Sequence, residues 1–320
     1  MIETMQKRKV GNTNLEIAPL AFGGNVFGWT ADEPTSFKLL DAFVAEGFSL
    51  IDTADSYSRW VAGHKGGESE TIIGNWMKAR GNRDRVIVAT KVGSDMGQGK
   101  KDLSRDWILR AAEDSLRRLQ TDYIDLYQSH WDDETTPVEE TLEAFAQLVK
   151  AGKVRFIGAS NLSPQRLRDS LEASKRNGYP RYETLQPNYN LYERATFETE
   201  FRPICEKENL GVIPYFSLAS GFLTGKYRSE ADLGGKARGG FVKKYLNERG
   251  FRILSALDEI AAAHRAKPAQ IAIAWLLAQP TISAPIASAT SVDQLGELTA
   301  ATRLVINGGE LKKLDEASRY

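Results

Sequence analysis

Short runs of apolar and β-branched residues recur along the chain. Each ends in polar residues or glycine, and each is followed by a stretch with helical spacing. The runs begin at Ala18 (APLAFGG), Ser49 (SLIDTA), Val86 (VIVATKV), Ile124 (IDLYQSH), Val154 (VRFIGASN), Thr184 (TLQPNYN), Gly211 (GVIPYF) and Ile282 (ISAPIAS). Successive starts lie 27 to 38 residues apart, except that the last lies 71 beyond its predecessor. The shorter interval holds one strand and one helix; the longer holds the same unit plus an insertion. The runs are apolar on both faces, as suits strands of a parallel sheet covered on both sides.

The intervening stretches carry helix signals. Phe37, Leu40 and Val44 form an apolar stripe. Thr136-Pro137-Val138-Glu139 reads as a capping box with proline at the first helical position. Val138, Leu142, Phe145 and Val149 then recur at i, i+4, i+7 and i+11 until Gly152 ends the helix. Ser163-Pro164 opens the next helix in the same way, with Leu167 and Leu171 inward.

Eight strand-helix units predict an α/β fold, a closed (β/α)8 TIM barrel of ~250 residues plus insertions. Its rival is an open doubly wound sheet with a second domain. No composition break marks a boundary, so residues 1–320 read as a single domain. Two additions are expected: an N-terminal β-hairpin over Lys7 to Ile17, and a long Gly-rich loop over Ser217 to Tyr245 after strand seven. A loop of that length is commonly functional. Two helices, Val292 to Thr302 and Gly309 to Ser318, close the chain.

Composition narrows the function. Lys and Arg total 42 and Asp and Glu total 42, so no basic surplus exists to draw a nucleic acid or an acidic membrane surface. One cysteine, Cys205, rules out an intramolecular disulfide and a cysteine-rich metal cage. No apolar stretch approaches the ~20 residues of a membrane span. The first ten residues lack the apolar core of a secretory signal, so a cytoplasmic protein is expected.

Familiar motifs are missing. Gly23-Gly24-Asn25-Val26-Phe27-Gly28 has the wrong spacing for a dinucleotide fingerprint. Gly221 to Tyr227 is one residue short of a phosphate loop and lacks its Ser/Thr. His64, His130 and His264 are scattered, which disfavours a zinc site, and no G-x-S-x-G elbow exists.

The chemistry lies elsewhere. In a (β/α)8 barrel, polar residues at the C-terminal strand ends converge on one mouth. Asp52, Lys91 and His130 stand at the ends of runs two, three and four, and Tyr57 follows in the loop after run two. Singly each has a plainer use: a helix cap, a solvated edge lysine, a rim histidine, a loop anchor. Together they form a chemical set. An ammonium is expected to lower the phenol from its usual pKa of ~10. A carboxylate holds the ammonium, and an imidazole orients a carbonyl. That set suits protonation of an oxygen as hydride reaches its carbon.

The carrying stretches are Ile51-Asp52-Thr53-Ala54-Asp55-Ser56-Tyr57, Ala89-Thr90-Lys91-Val92-Gly93, Tyr127-Gln128-Ser129-His130-Trp131 with Thr136-Pro137-Val138-Glu139-Glu140, and Gly152 to Asn161 (GKVRFIGASN). In order and spacing the chain resembles the aldo-keto reductase superfamily nearly end to end. The resemblance is nearest to the bacterial branch that includes the potassium-channel β-subunit type. It implies a catalytic tetrad of Asp52, Tyr57, Lys91 and His130, with Tyr57 as general acid. It also implies an NADPH-dependent oxidoreductase that reduces aldehydes or ketones to alcohols without a Rossmann motif, NADPH being favoured over NADH.

By the same resemblance Ser160, Asn161 and Gln186 meet the nicotinamide carboxamide, and Tyr215 stacks on the ring. Ser217, Leu218, Ser220, Gly221 and Leu223 meet the pyrophosphate, with Lys226 adding charge. Arg238 meets the adenosine 2′-phosphate, and Ser288, Thr290, Gln294 and Glu297 the adenosine. There are departures: Tyr215-Phe216-Ser217-Leu218 stands where many members read Tyr-Ser-Pro-Leu, and Leu298 where Asn is common. Phe27, Trp29, Trp60 and Trp131 lie just after strands one, two and four and are expected to wall the substrate pocket. The alternative is a redox-sensing NADP(H)-binding module that regulates a partner. A phosphate-sugar isomerase on the same barrel lacks a carboxylate base at the expected strand ends.

Overall fold

A computed structural model of the chain describes residues 6–235 and 239–320. Strands β1 (Arg8–Lys9) and β2 (Glu16–Ile17) pair as the expected antiparallel hairpin. Then come β3 (Ala21–Gly23), β4 (Leu50–Asp52), β5 (Ile87–Val92), β6 (Ile124–Ser129), β7 (Val154–Ser160), β8 (Tyr182–Gln186), β9 (Gly211–Val212) and β10 (Ile286–Ala287). All eight apolar runs thus contribute a strand, and the eight form one parallel sheet in the order β10-β3-β4-β5-β6-β7-β8-β9. The ends meet: Val212 N–H donates to Thr281 O (3.0 Å), Ser283 N–H to Val212 O (2.8 Å) and Ile286 N–H to Pro214 O (2.9 Å). The sheet is a (β/α)8 barrel, and closure gives the edge groups partners.

The helices are α1 (Glu33–Ala45), α2 (Glu68–Arg80), α3 (Arg105–Leu119), α4 (Val138–Lys150), α5 (Pro164–Asn177), α6 (Arg202–Glu208), α7 (Gly239–Val242), α8 (Glu248–His264), α9 (Pro268–Leu277), α10 (Val292–Ala301) and α11 (Gly308–Ala317). Two sequence expectations are corrected here. In α1 the buried face is Ser36, Leu39, Leu40 and Phe43, with Phe37 and Val44 at its margins. Ser36 is tolerated inside because its Oγ donates to Asp32 O at 2.7 Å. Thr136 does not cap α4: its Oγ donates to Asp133 Oδ2 at 2.6 Å, and α4 starts without a side-chain cap. Ser163 does cap α5, accepting from Arg166 N–H at 3.1 Å.

The long segment expected after β9 is present. It holds 3-10 turns at Ala219–Thr224, Glu230–Leu233 and Lys243–Tyr245, together with α7. Its apolar residues Phe222, Leu223, Tyr227, Val242 and Tyr245 are buried, and Phe222 stacks on Tyr245 with ring centres 5.4 Å apart. Those residues anchor the long loop to the core.

Inside the barrel, Ala21, Leu50, Ala89, Leu126, Ile213 and Ala284 join hairpin residues Val10, Leu15 and Ile17 in one apolar cluster. The hairpin therefore plugs the N-terminal end. Side chains alternate along a strand, so residues two apart share a face. Two steps on from that apolar layer stand Asp52 after Leu50, Lys91 after Ala89, Gln128 after Leu126 and Tyr215 after Ile213. The packing is tight at mid-height. A Cβ on Gly158 would lie 2.1 Å from Thr184 Oγ1 and 3.1 Å from Gln128 Cγ.

Candidate active site

The alternation that makes the barrel's lower layer apolar brings a carboxylate and an ammonium together above it. Lys91 is fully buried, and its Nζ donates to Asp52 Oδ2 at 2.7 Å, Thr53 O at 2.8 Å and Tyr57 Oη at 2.9 Å. Tyr57 Oη donates to Asp52 Oδ2 at 3.2 Å. His130, one residue past β6, holds its Nδ1 3.0 Å from Ser94 Oγ, and its ring lies 6.1 Å from that of Tyr57. The four residues singled out in the sequence therefore share one end of the barrel.

Their electrostatics depart from the sequence expectation in one respect. Burial, followed by the charge of Asp52, pushes the Tyr57 phenol well above its ordinary value, so proximity to Lys91 does not lower it. Burial lowers Lys91, against the opposing pull of Asp52. Burial and then Lys91 hold His130 well below its ordinary value, which makes it a neutral imidazole. The phenol is accordingly kept protonated beside a donor aimed at its oxygen.

A cavity of about 790 Å³ opens from Asp52, Tyr57 and His130 and continues to the start of α10. Ser160, Asn161, Gln186, Tyr215, Ser217, Leu218, Ser220, Gly221, Lys226, Ser288, Thr290, Gln294 and Glu297 line it, as do Trp60 and Trp131. The middle of the wall is hydrogen-bonded throughout. Ser160 Oγ donates to Gln186 O (2.8 Å), Asn161 Nδ2 to His130 O (2.9 Å), and Tyr215 Oη to Asn161 Oδ1 (2.8 Å). Ala219, Ser220 and Gly221 follow one another with φ of 49°, 57° and 95°. Strained left-handed backbone of this kind clusters at ligand clamps, and such turns can aim N–H groups at an anion.

Other expected residues lie elsewhere. Phe27 is fully buried and stacks on Phe22 at 5.2 Å, because the 3-10 turn Gly24–Val26 carries it into the core; Val26 and Thr30 line the cavity instead. Trp29 packs edge-on against Trp60 at 5.6 Å rather than lining the wall. Leu223 is buried in the core, and Lys91 reaches the cavity through its partners Asp52 and Tyr57. Arg238 lies outside the described residues.

Sequence reasoning missed Asn25, Phe216, Thr224, Tyr227, Lys267 and Ala269 in the lining. Asn25 follows a strand end, so the rule that found Asp52 would have reached it; its Oδ1 accepts from Ser288 Oγ at 2.7 Å. Lys267 precedes α9, far from any strand end, and carries no such signal. Asp55 is a further feature. Its carboxyl is buried with neither oxygen hydrogen-bonded, and burial, then the charge of Glu70, pushes it up to about 8. Among the described residues no cluster of His, Cys, Asp and Glu could hold a metal ion, and no helix is long and apolar enough to cross a membrane.

The chain is 35% identical over 322 residues to the aldo-keto reductase YhdN of Bacillus subtilis (strain 168), covering 97% of this chain and 93% of that protein. It is 30% identical over 325 residues to the L-glyceraldehyde 3-phosphate reductase of Escherichia coli (strain K12), covering 98% and 92%. It is also 32% identical over 302 residues to a probable voltage-gated potassium channel subunit beta of Oryza sativa subsp. japonica, covering 92% and 90%. The description Aldo/keto reductase family matches residues 19–319. With that match across the barrel, the chain belongs to the aldo/keto reductase family.

Proposed function

We propose that this protein is an NADPH-dependent reductase of aldehydes and ketones in which Tyr57 is the general acid, the whole barrel acting as one domain. The observation that carries this reading is the placement of Lys91 Nζ against both Asp52 Oδ2 (2.7 Å) and Tyr57 Oη (2.9 Å) at the head of a long cavity. The cavity's donor set fits a dinucleotide. Polar side chains and Tyr215 stand nearest the tetrad, a left-handed turn with Lys226 follows, and polar residues of α10 complete it. Ser160, Asn161, Gln186 and Tyr215 would hold the nicotinamide, and Ser217, Leu218, Ser220, Gly221 and Lys226 the pyrophosphate. The bound cofactor supplies a hydride to the carbonyl carbon.

The chain's own residues handle the proton. Tyr57 Oη turns its hydrogen from Asp52 Oδ2 towards a carbonyl oxygen, and Lys91 stabilises the phenolate left behind. Asp52 keeps Lys91 charged and in place. In the tautomer that carries its proton on Nε2, the neutral His130 accepts from Ser94 Oγ at Nδ1 and can donate to the same carbonyl oxygen. Trp60 and Trp131, 52% and 38% exposed, offer an aromatic rim that favours apolar substituents.

The test is consumption of NADPH and NADH, in parallel, across a varied panel of aldehydes and ketones. Turnover with NADPH is expected. Tight NADPH binding without turnover of any carbonyl would instead favour a redox-sensing module that reports cofactor state to a partner. The likeness to a protein named as a potassium channel subunit supports that second reading. Cofactor that exchanges rapidly argues for the enzyme, and cofactor that stays bound through many assay cycles argues for the sensor.

A further inference from the structure

A second cavity, of about 480 Å³, lies beside the first, and Trp131, Asn161 and Tyr215 line both. The rest of its wall comes from the start of α5, the segment after β8, the first turn of α8 and Tyr320 at the end of the chain. Tyr192, Phe197 and Tyr320 make much of that wall aromatic. The shared ridge is held in place, because Tyr215 Oη donates to Asn161 Oδ1 at 2.8 Å. A molecule whose carbonyl meets Tyr57 has, past that ridge, a second space for its far end.

Among the described residues the second cavity is lined by three charged side chains, Glu193, Arg194 and Arg249. Two are neutralised within the protein. Glu193 Oε1 accepts from Lys244 Nζ at 2.7 Å, and Arg194 pairs with Glu198 Oε1 at 2.8 Å and Asp315 Oδ1 at 3.0 Å. Arg249 is not neutralised. Its Nη2 donates to two carbonyls, Tyr192 O at 2.9 Å and Ser318 O at 2.7 Å, and its Nε is buried without a partner. Among the described residues no carboxylate pairs with it. Its guanidinium carbon stands 4.5 Å over the Tyr192 ring, a contact that holds the fork in place. A guanidinium keeps its charge at any ordinary pH, and a half-buried charge without a counter-ion is costly. A planar carboxylate matches its fork of donors.

We propose that the second cavity receives the far end of the carbonyl substrate, and that Arg249 selects substrates whose apolar body ends in a carboxylate. The carbonyl lies at Tyr57 and His130, the body crosses the ridge between Trp131 and Tyr215, and the carboxylate pairs with Arg249. Nη1, which makes no hydrogen bond among the described residues, is the donor left for it. The aromatic wall takes the apolar body, and the distance from tetrad to guanidinium sets the length of tail. The inference rests on the carbonyl-reductase reading of the tetrad and adds a substrate class to it.

The test uses the full chain, NADPH and a series of formylphenyl alkanoates of increasing length, each beside its methyl ester, with benzaldehyde as the tail-free substrate. Once the tail reaches Arg249, kcat/KM for the acid is expected to exceed that for its ester by about tenfold. Arg249→Gln is expected to bring this acid-to-ester ratio near one, through KM rather than kcat. The ratio is the readout because Arg249 also holds two carbonyls, and a loss of folding lowers both substrates alike. A second variant, Thr196→Trp, fills the cavity instead. Thr196 is exposed, lines the cavity and caps nothing, so an indole there breaks no bond. It is expected to depress long-tailed acids and esters several-fold relative to benzaldehyde. A wild-type ratio near one at every length, a high ratio that survives Arg249→Gln, or long tails untouched by Thr196→Trp overturns the subsite and leaves the reductase reading standing. No turnover of any aldehyde, benzaldehyde included, overturns the reductase reading on which the subsite rests.

Discussion

Gln186 Nε2 donates to Asp52 Oδ1 at 2.8 Å, while Asp52 Oδ2 takes Lys91 Nζ at 2.7 Å and Tyr57 Oη at 3.2 Å. One buried carboxylate of β4 thereby joins the wall residue of β8 to Lys91 of β5 and to Tyr57 in the loop after β4. Removing a hydrogen-bond partner from a buried charge costs about 1.5–3 kcal/mol. Gln186→Leu is expected to lower stability by that amount in chemical denaturation and to weaken NADPH binding. Unchanged stability would mean that Gln186 contributes nothing to holding Asp52.

Tyr57→Phe removes the hydroxyl and leaves Lys91 bound to Asp52 and Thr53 O. The loss of a general acid costs about 10²–10⁴ in rate. Turnover of any accepted carbonyl is expected to fall by that factor, with the NADPH dissociation constant within about threefold of the wild type. Parallel loss of turnover and binding would assign Tyr57 to the cofactor site instead.

Asp55 predicts a pH dependence of stability. Burial and the charge of Glu70 raise its carboxyl to about 8, against opposing pulls from Arg118 and Lys91. Glu70 is itself held by Arg118 Nε at 2.7 Å and Thr90 Oγ1 at 2.5 Å. An unfolded aspartate titrates near ~4. Between that value and about 8 the folded chain keeps a proton that the unfolded chain has lost, so this group makes stability fall as pH rises. The loss is complete above the folded value and absent below the unfolded one. Asp55→Asn is therefore expected to gain on the wild type by roughly 1.4 kcal/mol per pH unit across the window, up to several kcal/mol. Urea titrations from pH 4 to 9 measure the difference, and a pH-independent gap would count against the assignment.

Gly158→Ala places a methyl group 2.1 Å from Thr184 Oγ1 inside the barrel. Overpacking of this kind costs about 1–3 kcal/mol. The midpoint of denaturation is expected to fall correspondingly, and pairing the change with Thr184→Gly should restore part of the loss. Full stability of the single variant would show that β7 shifts freely.

Much of the fold is legible in the chain because the strand period of two and the helix period of 3.6 are local properties. The apolar runs locate the eight parallel strands, and strand-end polarity locates Asp52, Lys91 and His130. The helix start at Thr136 is misread because Asp133, three residues earlier, competes for its hydroxyl. The α1 face is misplaced because a buried serine satisfied by Asp32 looks polar in sequence.

What the sequence by itself determined is the alternation that makes a strand apolar at its base and reactive at its tip. It also determined the order in which those tips come together. Only the tertiary structure decided that Phe27 turns inward while Trp60 and Trp131 stay at the rim, that the phenol rises rather than falls, and that Lys267 reaches the cavity. The reason is physical: periodicity acts between near neighbours, whereas burial and charge depend on everything packed around a group. Gln186 and Asp52, 134 positions apart, become partners only when the barrel closes.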